Sequence, residues 1–458
     1  MTRVICVAAG QSRARKVQNR LSRRHLYLNY GLLSIATQLR RMGLDAIQIQ
    51  GNFDAPVDTL AACIDEGLLQ SRFPLLLSIP SFYAVPWARE FIAETRKIKP
   101  DQIFIVGGRW VVADRPERLS ESIGGVDHVV RGLGEWVLPE LVERHFGVPF
   151  RRGPEMHFGA RALPPPLDYA LLRNRAQYQP SIEVSRGCGM GCSFCQERSE
   201  TLLPLKAAAD LVSELHDTVQ EDGLRPMTPY FEASLFAPNR HWACALANAV
   251  GANAVQWRAE ARVDSVMPDV LKVLAGAGLK VIDLGLESAD PVQLVRMSKT
   301  KDPAKYLARA SALLKAAGES GILAKVNVLL FAGETKDSVA RTLEWLEQHR
   351  PCIAGVSVGP MMCFGWPEDV RDYVLTLGEY GAVMTDEQPI HGIGQMHLSP
   401  EIDFAGALEI SQQISRSFMT ADQYFALKSF SYLPRSYTYS DFRRDIEEDA
   451  HRDRFSFR

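Results

Sequence analysis

The stretch SRGCGMGCSFC, residues 185–195, places Cys188, Cys192 and Cys195 in the spacing Cys-x3-Cys-x2-Cys. Gly187, Gly189 and Gly191 are interspersed with them and permit a tight loop. The other five of the eight cysteines, Cys6, Cys63, Cys244, Cys352 and Cys363, are scattered. Eight in a chain of 458 residues is too few for a disulfide scaffold, so a cluster of three in a reducing compartment points to a metal site or redox chemistry. A closed zinc site needs a fourth thiolate or imidazole, whereas the residues just beyond the loop offer Glu197 and Glu200. Iron–sulfur clusters are commonly held by four cysteines, so three imply a cluster with one iron left to a non-protein ligand. The spacing favours this cluster over structural zinc.

Outward from the loop, the chain reads as alternating strands and helices. Strands are predicted at Ser181–Val184, Thr228–Glu232, Val255–Ala259, Lys280–Gly285, Leu323–Phe331 and Ile353–Val358, with helical segments between them. Upstream, Arg3–Ala8 (RVICVA) is an apolar run suited to a strand buried on both faces. Leu32, Ile35, Ala36, Leu39 and Met42 then form one apolar helical stripe, stopped by Gly43. Further strands are expected at Leu44–Ile49, Pro74–Ile79, Ile103–Val106 and Val126–Val130. Helices are expected near Val57–Leu69, Pro86–Ile98 and Glu135–His145. Five strand–helix units argue for a Rossmann-like, flavodoxin-like doubly wound parallel sheet over residues 1–150. Such sheets bind ligands beyond the carboxyl ends of their strands, where Gly107-Gly108 stands. No G-x-G-x-x-G follows a strand, which argues against a nicotinamide site. Residues 151–180, with Pro164-Pro165-Pro166, read as a linker. Residues 361–458 read as a C-terminal substrate-capping region, whose aromatics Phe425, Phe430, Tyr432, Tyr437 and Tyr439 either cap the substrate opening or pack beneath the barrel.

The cysteine loop resembles that of radical S-adenosylmethionine (SAM) enzymes, with Phe194 as the aromatic before the third cysteine. The resemblance implies a [4Fe–4S] cluster held by Cys188, Cys192 and Cys195, with SAM on the fourth iron, and a partial (β/α)6 barrel of the TIM type over residues 181–360. Mapped residue by residue, it implies that Glu232 in YFEAS meets the SAM amino group, with Ser234 close by. It implies that Arg262 in AEARVD meets the SAM carboxylate. Gly285, Glu287 and Ser288 in DLGLES resemble the ribose- and methionine-side motif, and Gly333-Glu334-Thr335 in LLFAGET the turn near the adenine.

The front domain resembles the cobalamin-binding domain that precedes the barrel in a large radical SAM subfamily. The matching stretches are LNYGLLSIATQLRRMG, LLLSIPSF with Ser78, IFIVGGRW with Gly107 and Gly108, and HVVRGLGEW. Two departures stand out: no Asp-x-His-x-x-Gly follows the first strand, and the bulky Arg109 follows Gly108. The resemblance implies cobalamin-dependent C-methylation of a small, natural-product type substrate. The alternative is a cobalamin-free radical dehydration or epimerisation of a sugar-like substrate, with Tyr230 or Cys363 as hydrogen donor. An electron donor such as flavodoxin or ferredoxin is implied as partner.

Composition narrows the field further. The formal charge is −2, from 52 basic and 54 acidic side chains, which gives no nucleic-acid footprint. No apolar run approaches the ~18 residues of a membrane span, and the start, MTRVICVAAGQSRARK, does not read as a signal peptide. A soluble, cytoplasmic enzyme is the expectation.

Overall fold

The computed structural model describes residues 3–12, 20–111, 120–147, 163–198, 200–219, 226–251, 255–386, 388 and 390–449. The chain divides into two units, Met1–Tyr178 and Gln179–Arg458. Residues 151–162 of the expected linker and the final HRDRFSFR lie outside the described residues.

In the first unit five strands, β1 (Val4–Ala8), β2 (Ala46–Gln50), β3 (Leu75–Ser78), β4 (Phe104–Gly107) and β5 (His128–Val129), form a parallel sheet in the order β2-β1-β3-β4-β5. All five residues of β1 are buried, which is why VICVA carries no polar alternation. The order reverses between β1 and β3, which makes that pair the switch point of a doubly wound sheet. At the end of β4, Gly108 has φ +108°, and a Cβ there would lie 2.2 Å from the Ile79 carbonyl oxygen, so the turn requires glycine. The residues read as a linker are partly built into this unit. Leu171, Leu172 and Tyr178 belong to its core, Leu172 bridges Gln48 in parallel, and the Arg173 amide donates to the Gln48 carbonyl at 2.9 Å. β2 is the sheet edge, and the segment satisfies backbone groups that an uncovered edge would leave open. The Pro-rich composition of 151–180 hid this docking.

In the second unit six strands follow one another in strict spatial order. They are β6 (Ser181–Glu183), β7 (Tyr230–Glu232), β8 (Trp257–Arg262), β9 (Leu279–Glu287), β10 (Leu323–Leu330) and β11 (Gly355–Pro360), all parallel. This is the partial barrel. β8 runs three residues beyond its expected end because AEAR continues the strict alternation. Trp257, Ala259 and Ala261 join the apolar core, while Arg258, Glu260 and Arg262 point the other way, into the barrel. The same alternation puts Tyr230 and Glu232, Asp283 and Gly285, Lys325 and Asn327, and Ser357 and Gly359 on the inner face. Most barrels of this type fill their interior with branched apolar side chains. This one lines it with polar groups.

The inner charges are paired at the amino-terminal end of the strands. The Arg258 guanidinium, fully buried, donates from Nε to Asp283 at 2.5 Å, and Lys325 Nζ lies 3.0 Å from the other Asp283 oxygen. Burial alone would raise the Asp283 carboxyl, and the two cations overcome it, holding the group at about 2. Arg258 Nη1 also donates to the carbonyls of Leu427 and Phe430, at 2.8 and 3.3 Å, and its guanidinium lies 4.6 Å from the Tyr432 ring centroid. The segment 427–432 therefore closes the floor of the barrel.

This corrects part of the expected capping role of residues 361–458, because Phe430 and Tyr432 sit on the underside. The Leu427 and Phe430 carbonyls and the Tyr432 ring supply what the buried guanidinium needs there. The carboxyl end of the barrel is met instead by β12 (Met362–Phe364), β13 (Val383–Met384) and β14 (Ile393–His397), an antiparallel sheet in the order β12-β14-β13. Leu398, just after β14, accepts the Gly333 amide at 2.7 Å. Cys363, Met396 and Leu398 share one core with the barrel, so no core boundary falls at residue 360.

Replacing Asp283 by Asn leaves Arg258 and Lys325 buried without their counter-charge. The expected loss is about 3–5 kcal/mol of unfolding free energy in urea titration. A loss under 1 kcal/mol would show that the floor network is not needed for stability.

Candidate active site

The cysteine loop follows β6. Gly187, Gly189 and Gly191 all have positive φ, at +72°, +65° and +72°, and a Cβ on Gly187 would lie 2.1 Å from the Thr201 carbonyl oxygen. The loop is thereby held against residues 200–201, where the Cys188 amide also donates to Glu200 O at 3.0 Å. Cys192 is buried, Cys188 and Cys195 are half-buried, and none is in a disulfide. Two of the three sulfurs accept hydrogen bonds: Cys195 from the Glu197 amide at 3.4 Å and Cys192 from Arg262 Nη1 at 3.3 Å. Among the described residues no three His, Cys, Asp or Glu side chains converge as a single-ion site requires. An iron–sulfur cluster gives each cysteine its own iron, so three thiolates with N–H donors on two of them fit that group and leave one corner open.

Arg262, at the carboxyl end of β8, is fixed from several sides. Nε and Nη2 donate to the two Asp264 oxygens at 2.9 and 3.2 Å, and Nη2 also donates to the Lys299 carbonyl at 2.7 Å. Its remaining bond goes to Cys192, which ties β8 to the cysteine loop. Glu232, half-buried at the end of β7, accepts the Ser181 hydroxyl at 2.8 Å and faces Glu183 across the β6–β7 register. Ser234 is exposed in the loop that follows. Gly285 pairs with Arg262 in register, and Glu287, two residues on, receives Lys299 Nζ at 3.0 Å. Lys299 also lies 5.9 Å from the Phe194 ring centroid, and Phe194 packs edge-on against Phe331.

Glu287 and Ser298 are non-glycine residues at φ +68° and +53°, a conformation that costs about 1–2 kcal/mol each. Both flank the Glu287–Lys299 pair, where strain is held by the surrounding contacts. The sequence reasoning missed Lys299, Asp264 and Tyr306, whose hydroxyl donates to the Gly285 carbonyl at 2.9 Å. The alternation R-x-E-x-R in β8 was the available signal that its charges share one face.

Other expected residues stand apart. Ser288 is buried, and its hydroxyl is engaged with Thr342 and with the Asp290 amide, so it shapes the turn. Gly333 lies under Arg296, which donates to its carbonyl at 3.0 Å and lies 5.0 Å from the Tyr380 ring centroid. Tyr230 is at the floor, where burial and the nearby Glu260 carboxylate hold its phenol well above the usual range. Cys363 is buried against Met396. Neither donor candidate lies among the residues gathered around the cysteine loop. In the first unit Ser78, at the end of β3, accepts from Asn29 Nδ2 at 2.9 Å.

Residues 182–346 match the family described as the Radical SAM superfamily. This segment is a radical SAM domain. The chain is therefore an enzyme, and the cofactors of a radical SAM domain are a [4Fe–4S] cluster and SAM. Solved structures share its fold over nearly the whole chain. The radical SAM methyltransferase TsrM from Kitasatospora setae, with tryptophan substrate and the SAM analogue aza-SAM bound, aligns with a TM-score of 0.67. That match covers 98% of this chain and 100% of that one, at 15% identity. A TsrM structure with cobalamin and a [4Fe–4S] cluster bound gives 0.58 over 79% of this chain and 75% of that one, at 18% identity. The cobalamin-dependent radical enzyme OxsB, with aqua-cobalamin and SAM bound, gives 0.66 over 90% of this chain and 66% of that one, at 16% identity. At these identities the likeness is one of fold. No curated protein matches the chain. No helix among the described residues is long and apolar enough to cross a membrane.

Two outcomes follow from the geometry of the radical SAM domain. Arg262→Gln removes a charge-assisted donor from the Cys192 sulfur, so the reconstituted cluster should titrate at a more negative potential in EPR-monitored reduction. An unchanged potential would mean the guanidinium serves packing alone. Burial pushes the Glu334 carboxyl from the ordinary 4.5 up to about 7, against the opposing pull of its Ser338 hydrogen bond. The folded state then holds a proton that the unfolded state has released. Stability should fall as pH rises from about 4.5 to about 7, by up to about 3 kcal/mol, and stay low above that. Glu334→Gln should flatten this part of the Tm profile.

Proposed function

We propose that the chain is a cobalamin-dependent radical SAM methyltransferase acting on an unactivated carbon of a small, natural-product type molecule. The observation that carries this reading is the pairing, in one chain, of a 2-1-3-4-5 parallel sheet with a radical SAM domain, in a fold that overlaps TsrM end to end. The switch point between β1 and β3 carries the small residues Ala9 and Ser78, and beyond β4 the nearest atoms to a Cβ on Gly107 are those of Val130, at 3.4 and 3.7 Å. Arg109 is exposed, while Trp110 is buried and donates to the Gly107 carbonyl at 3.1 Å. Ser78, Gly107 and Gly108 fit the close approach of a corrinoid tail.

In the radical SAM domain Cys188, Cys192 and Cys195 would hold the cluster. Glu232 suits the ammonium of SAM, and Ser234, Gly285, Glu287 and Phe194 would complete its cradle. Bound there, the cluster supplies the electron that opens the sulfonium and so yields a radical able to take a substrate hydrogen. The chain's own part is positional. Arg262 holds the Cys192 sulfur and the end of β8 together, leaving one Nη1 proton for a carboxylate. Lys299 neutralises Glu287, and the closed floor keeps bulk water from below. A corrinoid in the first unit would supply the methyl group. Dehydration loses its support because Tyr230 is buried at the floor and Cys363 is buried against Met396.

Anaerobic reconstitution with iron, sulfide and hydroxocobalamin, followed by gel filtration, tests the reading. Corrinoid absorption should stay with the protein near one equivalent, and SAM with reductant should yield 5′-deoxyadenosine. A protein that cleaves SAM but releases all corrinoid would overturn methyl transfer through cobalamin.

A further inference from the structure

The barrel's inner face holds polar groups that the cysteine loop and its neighbours do not use. Glu260 on β8, Asp283 on β9 and Lys325 on β10 stand side by side in register. One level nearer the carboxyl end, Gly285, Asn327 and Ser357 form the next row. In the lower row both cations, Arg258 and Lys325, are drawn to Asp283. Among the described residues Glu260 makes no ion pair, and the Tyr230 phenol lies near it.

Glu260 keeps much of its surface accessible although it lies mid-strand in a six-stranded barrel. That surface opens onto the lumen, since the strand's other face is packed in the core. Asn327 and Ser357 are half-buried on the same lumen, and among the described residues their side chains make no hydrogen bond within the protein. Above Ser357, a Cβ on Gly359 would find nothing within 4 Å, so the wall has room at its upper end.

Polar groups that stay accessible on the lumen are available to a ligand, and an apolar ligand would desolvate them at a cost. We infer that this wall docks the substrate, that the substrate presents a basic nitrogen to Glu260, and that it offers hydrogen-bonding groups to Asn327 and Ser357. The proposal rests on the radical SAM reading of the domain and names its substrate class: a polar, amine-bearing small molecule. An anionic substrate would meet the Glu260 carboxylate head-on, and a lipid-like one would strand the amide and hydroxyl. Enclosure and the facing Asp283 raise the Glu260 carboxyl, opposed by the Tyr230 hydroxyl, Lys325 and Arg258. A docked ammonium reverses that shift, which is the behaviour of a carboxylate missing its cation.

The test uses three matched probes on the reconstituted, SAM-loaded protein: trans-4-aminocyclohexanol, cyclohexane-1,4-diol and 4-hydroxycyclohexanecarboxylate. Dissociation constants come from saturation-transfer NMR titration. The ammonium probe should bind about tenfold tighter than the diol, as a charge-assisted hydrogen bond allows, with the carboxylate weakest. The preference should grow as pH rises through the Glu260 titration. Glu260→Gln should erase it, while Asn327→Ala should weaken all three probes and leave it intact. Equal binding of ammonium and diol, no binding of any probe, or a preference that survives Glu260→Gln would overturn the inference. Formation of 5′-deoxyadenosine by the wild-type protein, measured alongside, reports separately on the radical SAM reading.

Discussion

One strand carries the constraint on which the second unit turns. β8 alternates alanine and tryptophan outward with Arg258, Glu260 and Arg262 inward, so three charged groups descend one wall of the barrel. Each must find a partner at its own depth, because an isolated charge in such a space would not remain ionised. Arg258 finds Asp283 and the carbonyls of the tail, and Arg262 finds Asp264, Lys299 and a cysteine sulfur. Glu260, near the Tyr230 phenol, takes no ion pair among the described residues. The order of charges along a single strand thereby divides the lumen into a sealed floor, an accommodating middle and a cofactor rim.

The rim shows how strain and charge are balanced. Glu287 and Ser298 occupy backbone conformations that favour glycine, and they bracket a lysine–glutamate pair beside the cysteine loop. Such conformations persist where neighbours over-determine them. Here the neighbours are Arg262, bonded to the Lys299 carbonyl, and Tyr306, bonded to the Gly285 carbonyl. Such cross-bracing fixes the rim through the chain's own bonds.

Much of this was legible in the sequence, and the misses have physical causes. The Cys188–Cys195 spacing and the Gly-rich loop read directly, because the ligand set is local. The five strands of the first unit read from their apolar runs, with ends displaced by a residue or two. Residues 163–178 did not read as structure because their role is to cover the β2 edge with backbone bonds, and backbone bonds leave no signature in composition. The C-terminal aromatics left two orientations open. Only the buried Arg258, some 170 positions earlier, decides that Phe430 and Tyr432 lie below the barrel. Ser288 sits in the right motif, yet a neighbouring threonine takes its hydroxyl.

The floor has a consequence for how the chain matures. Arg258 is separated by 169 and 172 positions from the two carbonyls that receive its guanidinium. During synthesis all six barrel strands emerge before those acceptors exist. A barrel that formed from these strands alone would lack its base, and the Arg258 guanidinium would lack the acceptors that residues 427–432 bring. Completion of the chamber floor thus depends on a segment made after every barrel strand.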